Sequence, residues 1–293
     1  EWFKKNKITE VECLIPDNSG IPRGKILPTK KFLSSFESGG LRLPLHLFKL
    51  AVSRSVSYSI DDQLLNPTDG DFILKPDFNT LRVVPWYEEP TAQIICDAVD
   101  SKENEIEVYS RGILKRVISL FNNIGLEPII APEIEFYLVK KNNDPDYPLE
   151  TPSGQSGRIE KGNQSYGIDA INEFDHIFED LYDYCEAQDL DVENINHEDG
   201  PAQMEINFKH GNPLDLADQV FLFKRTLRQT ALKHNLYATF MAKPLEDSPG
   251  NSMHIHQSLL KKGKPIFVNK DLNTTNYFDR YLGGLQKYSK SFL

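Results

Sequence analysis

Two kinds of hydrophobic spacing succeed each other along the chain. Apolar runs over Ile8–Ile15 and Arg23–Leu27 flank the turn cluster Pro16–Gly20, which predicts a β-hairpin within residues 8 to 34. Short strand-like pieces follow at Thr80–Val84 and Ala92–Cys96, broken by prolines. Past residue 105 the spacing lengthens. Ile113, Leu114, Val117, Ile118, Phe121 and Ile124 recur at helical intervals, with Ser110 as the expected N-cap and Gly125 as the stop. Glu127–Val139 reads as a strand, and residues 142 to 166, rich in Asn, Asp, Pro, Gly and Ser, as a long loop. Ile171, Phe174, Ile177, Phe178, Leu181 and Cys185 share one face of a second helix. Met204, Ile206 and Phe208 alternate with Gln203, Glu205 and Asn207, the pattern of a half-buried strand. A third helix over about 213 to 234 and two strands, Tyr237–Ala242 and Ser252–Ser258, complete the series.

The polar run Asp100–Glu105 falls where the period changes and is the expected boundary. Residues 1–105 read as a small, mostly β domain, and 106–293 as an antiparallel sheet backed by helices. The fold class is α+β.

Composition narrows the function. The 293 residues are 39% hydrophobic and 26% charged, as in an ordinary globular protein. No stretch of eighteen apolar residues occurs, so no membrane span is expected. The formal charge is -10 and there is no basic stripe with interleaved aromatics, which argues against nucleic acid as the main partner. Cys13, Cys96 and Cys185 are scattered, with no CxxC spacing, so neither a disulfide framework nor a structural zinc site is expected, and a cytoplasmic setting is. The first residues, Glu1–Lys5, lack signal-peptide features, and without an initial Met the chain is expected to have lost residues upstream.

The acidic excess matters where carboxylates converge. Glu133 and Glu135 lie two apart on a strand and so project from one face. Two readings fit: a solvated face, or a pair of ligands held together by a cation, since like charges this close repel. Glu198 and Glu205 flank the turn Asp199–Ala202, which brings two more carboxylates to one rim or leaves them in solvent. His254 and His256 share a face with Ser252 and Ser258, with Met253, Ile255 and Leu259 behind; they read as ligands, phosphate contacts or structural histidines. Taken together, four strand-borne glutamates and a histidine pair suit the hard cations Mg²⁺ and Mn²⁺ rather than zinc.

The segments carrying these residues resemble the signatures of the glutamine synthetase family. Pro132–Leu138 is similar to the motif with two metal-binding glutamates, and Glu198–Glu205 to the second glutamate pair. Ala238–Pro244 resembles the next signature, and Gly250–Ser258 the glutamate and ATP motif. Asp17–Gly20 with Arg23–Lys25 resembles the family's N-terminal β-grasp domain, and the Gln203–Asn207 segment is closer to γ-glutamylpolyamine synthetases and related bacterial type I enzymes.

The resemblance implies a β-grasp domain at 1–105, then the first part of a glutamine synthetase catalytic domain at 106–293. It implies that Glu135, Glu198 and Glu205 hold one Mg²⁺ or Mn²⁺, and that Glu133 and His254 hold the other. Glu193, His256 and Ser258 would contact ATP, while Gly250 and Tyr166 would line the glutamate site. Lys243 is a signature residue with either a catalytic or a structural role. The implied reaction is ATP-dependent: glutamate's γ-carboxylate is phosphorylated, and ammonia or a small amine then displaces phosphate. A ring of identical chains is the implied assembly. Ala51 stands where the family has an aspartate that helps deprotonate ammonium, with Asp61 and Asp62 out of register, and Ser252 replaces a usual glycine. The family's catalytic domain is expected to run past Leu293, carrying a further metal ligand and arginines, and the chain alone is expected to be inactive. The alternative is a non-catalytic relative with a structural or regulatory role.

Overall fold

The computed structural model describes residues 1–50, 70–144 and 146–291; Ala51, Asp61 and Asp62 lie outside the described residues. Helix α1 (Trp2–Lys5) leads into strands β1 (Glu10–Pro16) and β2 (Pro22–Pro28), the expected hairpin. Then come α2 (Thr29–Ser35), β3 (Leu41–Pro44), β4 (Asp71–Pro76), β5 (Arg82–Val84) and β6 (Thr91–Val99). The strands lie in the order β2-β1-β6-β4-β3, with β5 also on β6. β1 and β6 run parallel at the centre, and the other pairs are antiparallel. A parallel pair needs cover on both faces, and β6 is buried at every position. One face packs Val11, Cys13, Ile94 and Cys96 with Phe32, Phe48, Phe72 and Tyr109. The other turns Leu14 and Ile95 into the core of a second sheet.

That second part comprises α3 (Ser110–Asn123), β7 (Glu127–Lys140), α4 (Ile168–Asn172), α5 (Asp175–Ala187), β8 (Val192–His197), β9 (Gln203–Phe208), α6 (Pro213–Lys233), β10 (Leu236–Thr239), β11 (Met253–Lys261), β12 (Lys264–Pro265) and α7 (Asn276–Tyr288). Its sheet is antiparallel, ordered β12-β11-β7-β9-β8, with β10 also on β7. Ile134, Phe136, Leu138, Met204 and Ile206 share a buried cluster with Phe178 and Leu181 of α5 and Phe223 and Leu227 of α6. α6 starts where Asn212 accepts hydrogen bonds from the Leu214 and Asp215 N–H groups and Pro213 occupies the first turn.

Charged groups join the two parts. Arg111 of α3, its side chain 3% exposed, meets Asp77 at 2.7 Å, Asp97 at 2.5 Å and Asp218 of α6 at 2.8 Å. Burial works against the charge on Asp77, but the bonds from Arg111 and Asn79 outweigh it and its carboxyl titrates below the usual range. For Asp218, burial outweighs Arg111 and the carboxyl is pushed up. Arg225 of α6 bridges to Glu12 and, at 2.8 Å, to Gln93, while Gln93 donates to Gln188 at 2.6 Å.

Several local expectations are corrected. Tyr109, not Ser110, is the N-cap of α3, and its side chain makes no capping bond. Ile113 and Val117 of α3, and Ile124 at its C-cap, are exposed, because the helix meets the core through its other side and the apolar stripe is wider than that contact. The second helix is broken into α4 and α5 around Glu173 and Phe174. β9 is buried on both faces, since Gln203 and Glu205 are covered as well as Met204 and Ile206. β10 ends at Thr239, and Met253 and Ile255 of β11 are exposed, with only Leu259 buried behind.

Candidate functional site

The open face of the second sheet carries the acidic residues in two cross-strand rows. Directly opposed residues of antiparallel strands share a face. Glu133 of β7 faces His254 of β11 on one side and Asn207 of β9 on the other. Glu135 faces Glu205 of β9, which in turn faces Asn196 of β8. Glu198 follows at the turn between β8 and β9. The alternation that buries Ile134, Phe136, Met204 and Ile206 beneath the helices therefore puts Glu133, Glu135 and Glu205 above them.

Side-chain geometry brings these groups into contact range. Ligand atoms of Glu135, Glu198 and Glu205 lie within 4.8 Å of one another, as do those of Glu133, Glu205 and His254, so that Glu205 belongs to both sets. His254 Nδ1 is 3.6 Å from Glu133 and 4.0 Å from Glu205. Burial, then repulsion from Glu135 and Glu205, raises the Glu198 carboxyl. Burial, then Glu133, raises Glu205. Carboxylates held together with so little opposing charge form a donor set that fits a hard divalent cation.

Glu135 is also oriented from behind, a feature that alternation alone does not reveal. Its Oε2 accepts from the Ser252 N–H at 3.0 Å and from Gln203 Nε2 at 3.0 Å. The same Gln203 amide donates to the Gly250 carbonyl at 3.0 Å, and its Oε1 accepts from the Gly200 N–H at 2.9 Å. Gln203 thus ties β7, the 198–202 turn and the segment before β11 together. In the sequence it reads only as a polar alternate; the signal that could have found it is a glutamine two residues before a candidate ligand on the same strand face. Tyr137 donates to the Pro249 carbonyl at 2.7 Å, and burial together with Glu135 pushes its hydroxyl up to about 12.

The remaining sequence-derived candidates are spread more widely. His256 Nε2 lies 3.0 Å from Glu133 Oε1, so it joins the acidic row. Ser258 is half-buried two positions further along β11. Glu193 is exposed at the irregularity between Val192 and Asn194 of β8. Gly250 packs so closely on Ala242 that an added Cβ would fall 2.6 Å from its carbonyl oxygen. Tyr166 is exposed and tied by its N–H to the His197 carbonyl at 2.9 Å. Lys243 bonds the Ser248 carbonyl, a local structural contact.

Fold and site together define an α+β protein with a sheet-borne acidic centre suited to divalent cations. Residues 107–293 match the glutamine synthetase catalytic domain, and the chain belongs to that family. It is 31% identical to the glutamine synthetase of Methanocaldococcus jannaschii, over 100% of this chain and 63% of that relative. It is 29% identical to a glutamate–isopropylamine ligase of a Pseudomonas species, over 92% of this chain and 59% of that one. The solved structure of a GmaS/ADP complex superposes with a TM-score of 0.78 at 23% identity, covering 99% of this chain and 62% of that one, which shows the shared fold. The chain thus spans less than two thirds of these relatives' lengths. Among the described residues no helix is long and apolar enough to cross a membrane.

Proposed function

We propose that this chain is part of an ATP-dependent ligase that joins ammonia or an amine to the γ-carboxylate of glutamate through a γ-glutamyl phosphate. The observation that carries the reading is the meeting of Glu133, Glu135, Glu198, Glu205 and His254 on one sheet face, in a chain of this family. Glu135, Glu198 and Glu205 would hold one cation and Glu133 with His254 the other. When bound, Mg²⁺ or Mn²⁺ supplies positive charge against phosphate oxygens. Glu193, His256 and Ser258 would contact ATP, and Gly250 and Tyr166 glutamate. A carboxylate is a poor electrophile; phosphorylation gives it a leaving group, and the amine then attacks the carbonyl as phosphate departs. A β-grasp domain at 1–105, a catalytic portion from 106, a homo-oligomeric ring and a cytoplasmic location complete the proposal. The glutamate–isopropylamine ligase among the relatives supports an amine substrate.

The test is phosphate release by the full-length protein with ATP, glutamate and Mg²⁺ or Mn²⁺ across a panel of amines that includes ammonium. A primary amine or polyamine is expected to outperform ammonium, because Ala51 has no group to accept a proton. Equal or better turnover with ammonium overturns the amine preference. No amine-dependent turnover overturns the ligase reading in favour of a non-catalytic relative.

A further inference from the structure

Glu160 lies in the long loop between β7 and α4, and no part of the proposed reaction uses it. Its carboxylate is nonetheless buried, with the side chain 3% exposed. One oxygen accepts from the Ala202 N–H, the other from Gln164 Nε2. The Ala202-facing oxygen also lies 3.6 Å from Nε2 of His197, whose side chain is wholly buried and whose Nε2 makes no hydrogen bond. On its far side, His197 Nδ1 is 2.6 Å from the Glu198 carbonyl; a carbonyl only accepts, so Nδ1 carries the hydrogen.

The rest of the loop clasps the same turn. Asn163 N–H donates to the Asp199 carbonyl at 2.8 Å, Tyr166 N–H to the His197 carbonyl at 2.9 Å, and Ser165 Oγ to Asp199 Oδ1 at 3.1 Å. The turn needs holding, because Ala202 sits at φ +55°, a left-handed conformation that an L side chain disfavours by about 1–2 kcal/mol. Burying a carboxylate is costly unless its acceptors are filled, and here one oxygen is filled by the backbone of the turn that bears Glu198 and the other by Gln164 of the loop itself.

We propose that Glu160 is a positioning residue: through the Ala202 N–H it pins the 198–202 turn so that the Glu198 carboxylate points into the cation site. This rests on the metal reading above. What matters is reach rather than charge. Glutamine at 160 keeps an acceptor for the Ala202 N–H, whereas aspartate keeps the charge but is a methylene too short.

Mn²⁺ binding, followed from the free-ion electron paramagnetic resonance signal, separates these cases in the wild type, Glu160→Gln, Glu160→Asp and Glu160→Ala. Outer-shell changes commonly weaken metal binding roughly 10–100-fold. That loss is expected for Glu160→Asp and Glu160→Ala, with Glu160→Gln restored to near the wild-type affinity. Should Glu160→Ala fail to fold, the aspartate and glutamine variants still decide. Wild-type affinity in Glu160→Asp, or equal weakening in Glu160→Gln and Glu160→Asp, overturns the pin while leaving the metal reading standing. A wild type that binds no Mn²⁺ overturns the metal reading itself.

Discussion

Replacing Arg111 with methionine tests how strongly the two sheets depend on one buried cation. The guanidinium serves Asp77, Asp97 and Asp218; its removal leaves Asp97 with Lys115 at 2.9 Å and takes from Asp77 and Asp218 the cation they pair with. Breaking a buried ion pair by removing one partner costs about 3–5 kcal/mol. At about 2–4 °C per kcal/mol for a chain of this size, the melting temperature should fall by roughly 6–20 °C. The sign of the pH dependence follows from Asp77. Its folded pKa lies below the unfolded value of 3.8, so its contribution is present above that value and lost as pH falls through the folded pKa. Asp218 is shifted the other way and opposes this in part. The gap between wild type and variant should therefore narrow as pH drops into the carboxylate range, where protonated aspartates no longer need the cation. Urea unfolding followed by tryptophan fluorescence is a suitable assay, because Trp86 lies beside Arg225 and Tyr184 between the two parts. Lys75→Met, which breaks an exposed pair with Glu103, serves as the control and should change stability by under about 1 kcal/mol. A loss at Arg111 no larger than that of the control, or a gap that widens towards acid pH, would refute the reasoning.

Three further outcomes are expected. Glu135→Gln should leave the metal-free protein within about 1 kcal/mol of wild type in urea, since the Ser252 N–H keeps an acceptor and repulsion on Glu198 falls. Mn²⁺ at 100 times its Kd should stabilise wild type by about 2.7 kcal/mol and this variant clearly less. Gln203→Leu leaves the Gly250 carbonyl and Gly200 N–H without this partner, and should lower unfolding stability by about 1–3 kcal/mol. Gly200→Ala would set a Cβ 1.9 Å from Tyr137 Oη, so the Tyr137–Pro249 bond should be lost and Mn²⁺ binding weakened, as calorimetric titration would show.

Period and turn chemistry made most of the second sheet legible. The alternation around Glu133 and Glu135 carries the face assignment, because one strand with a helix-covered side leaves its alternate positions on the other. What alternation cannot supply is cross-strand register. That Glu135 stands opposite Glu205, and Glu133 opposite His254, depends on pairings between segments far apart in the chain. Burial of polar groups was also hidden: Gln203 and Glu205 read as solvent-facing alternates, yet the neighbouring turn and strand cover them. In α3, apolar spacing announced a helix but not which part of its stripe would meet the core. The buried Arg111 that anchors it leaves no trace in hydrophobic periodicity, since its partners come from β6, the segment after β4, and α6.

The strand pairings also divide the acidic centre between the two edges of β7. The β8–β9 hairpin and β7 together supply all four glutamates, whereas His254 comes from β11, beyond α6 and β10 in the chain and on the opposite edge of β7. During synthesis the segments that carry the four carboxylates are therefore made before the imidazole that joins them. Gathering those carboxylates is opposed by their mutual repulsion, so divalent cations should favour docking of the β8–β9 hairpin on β7.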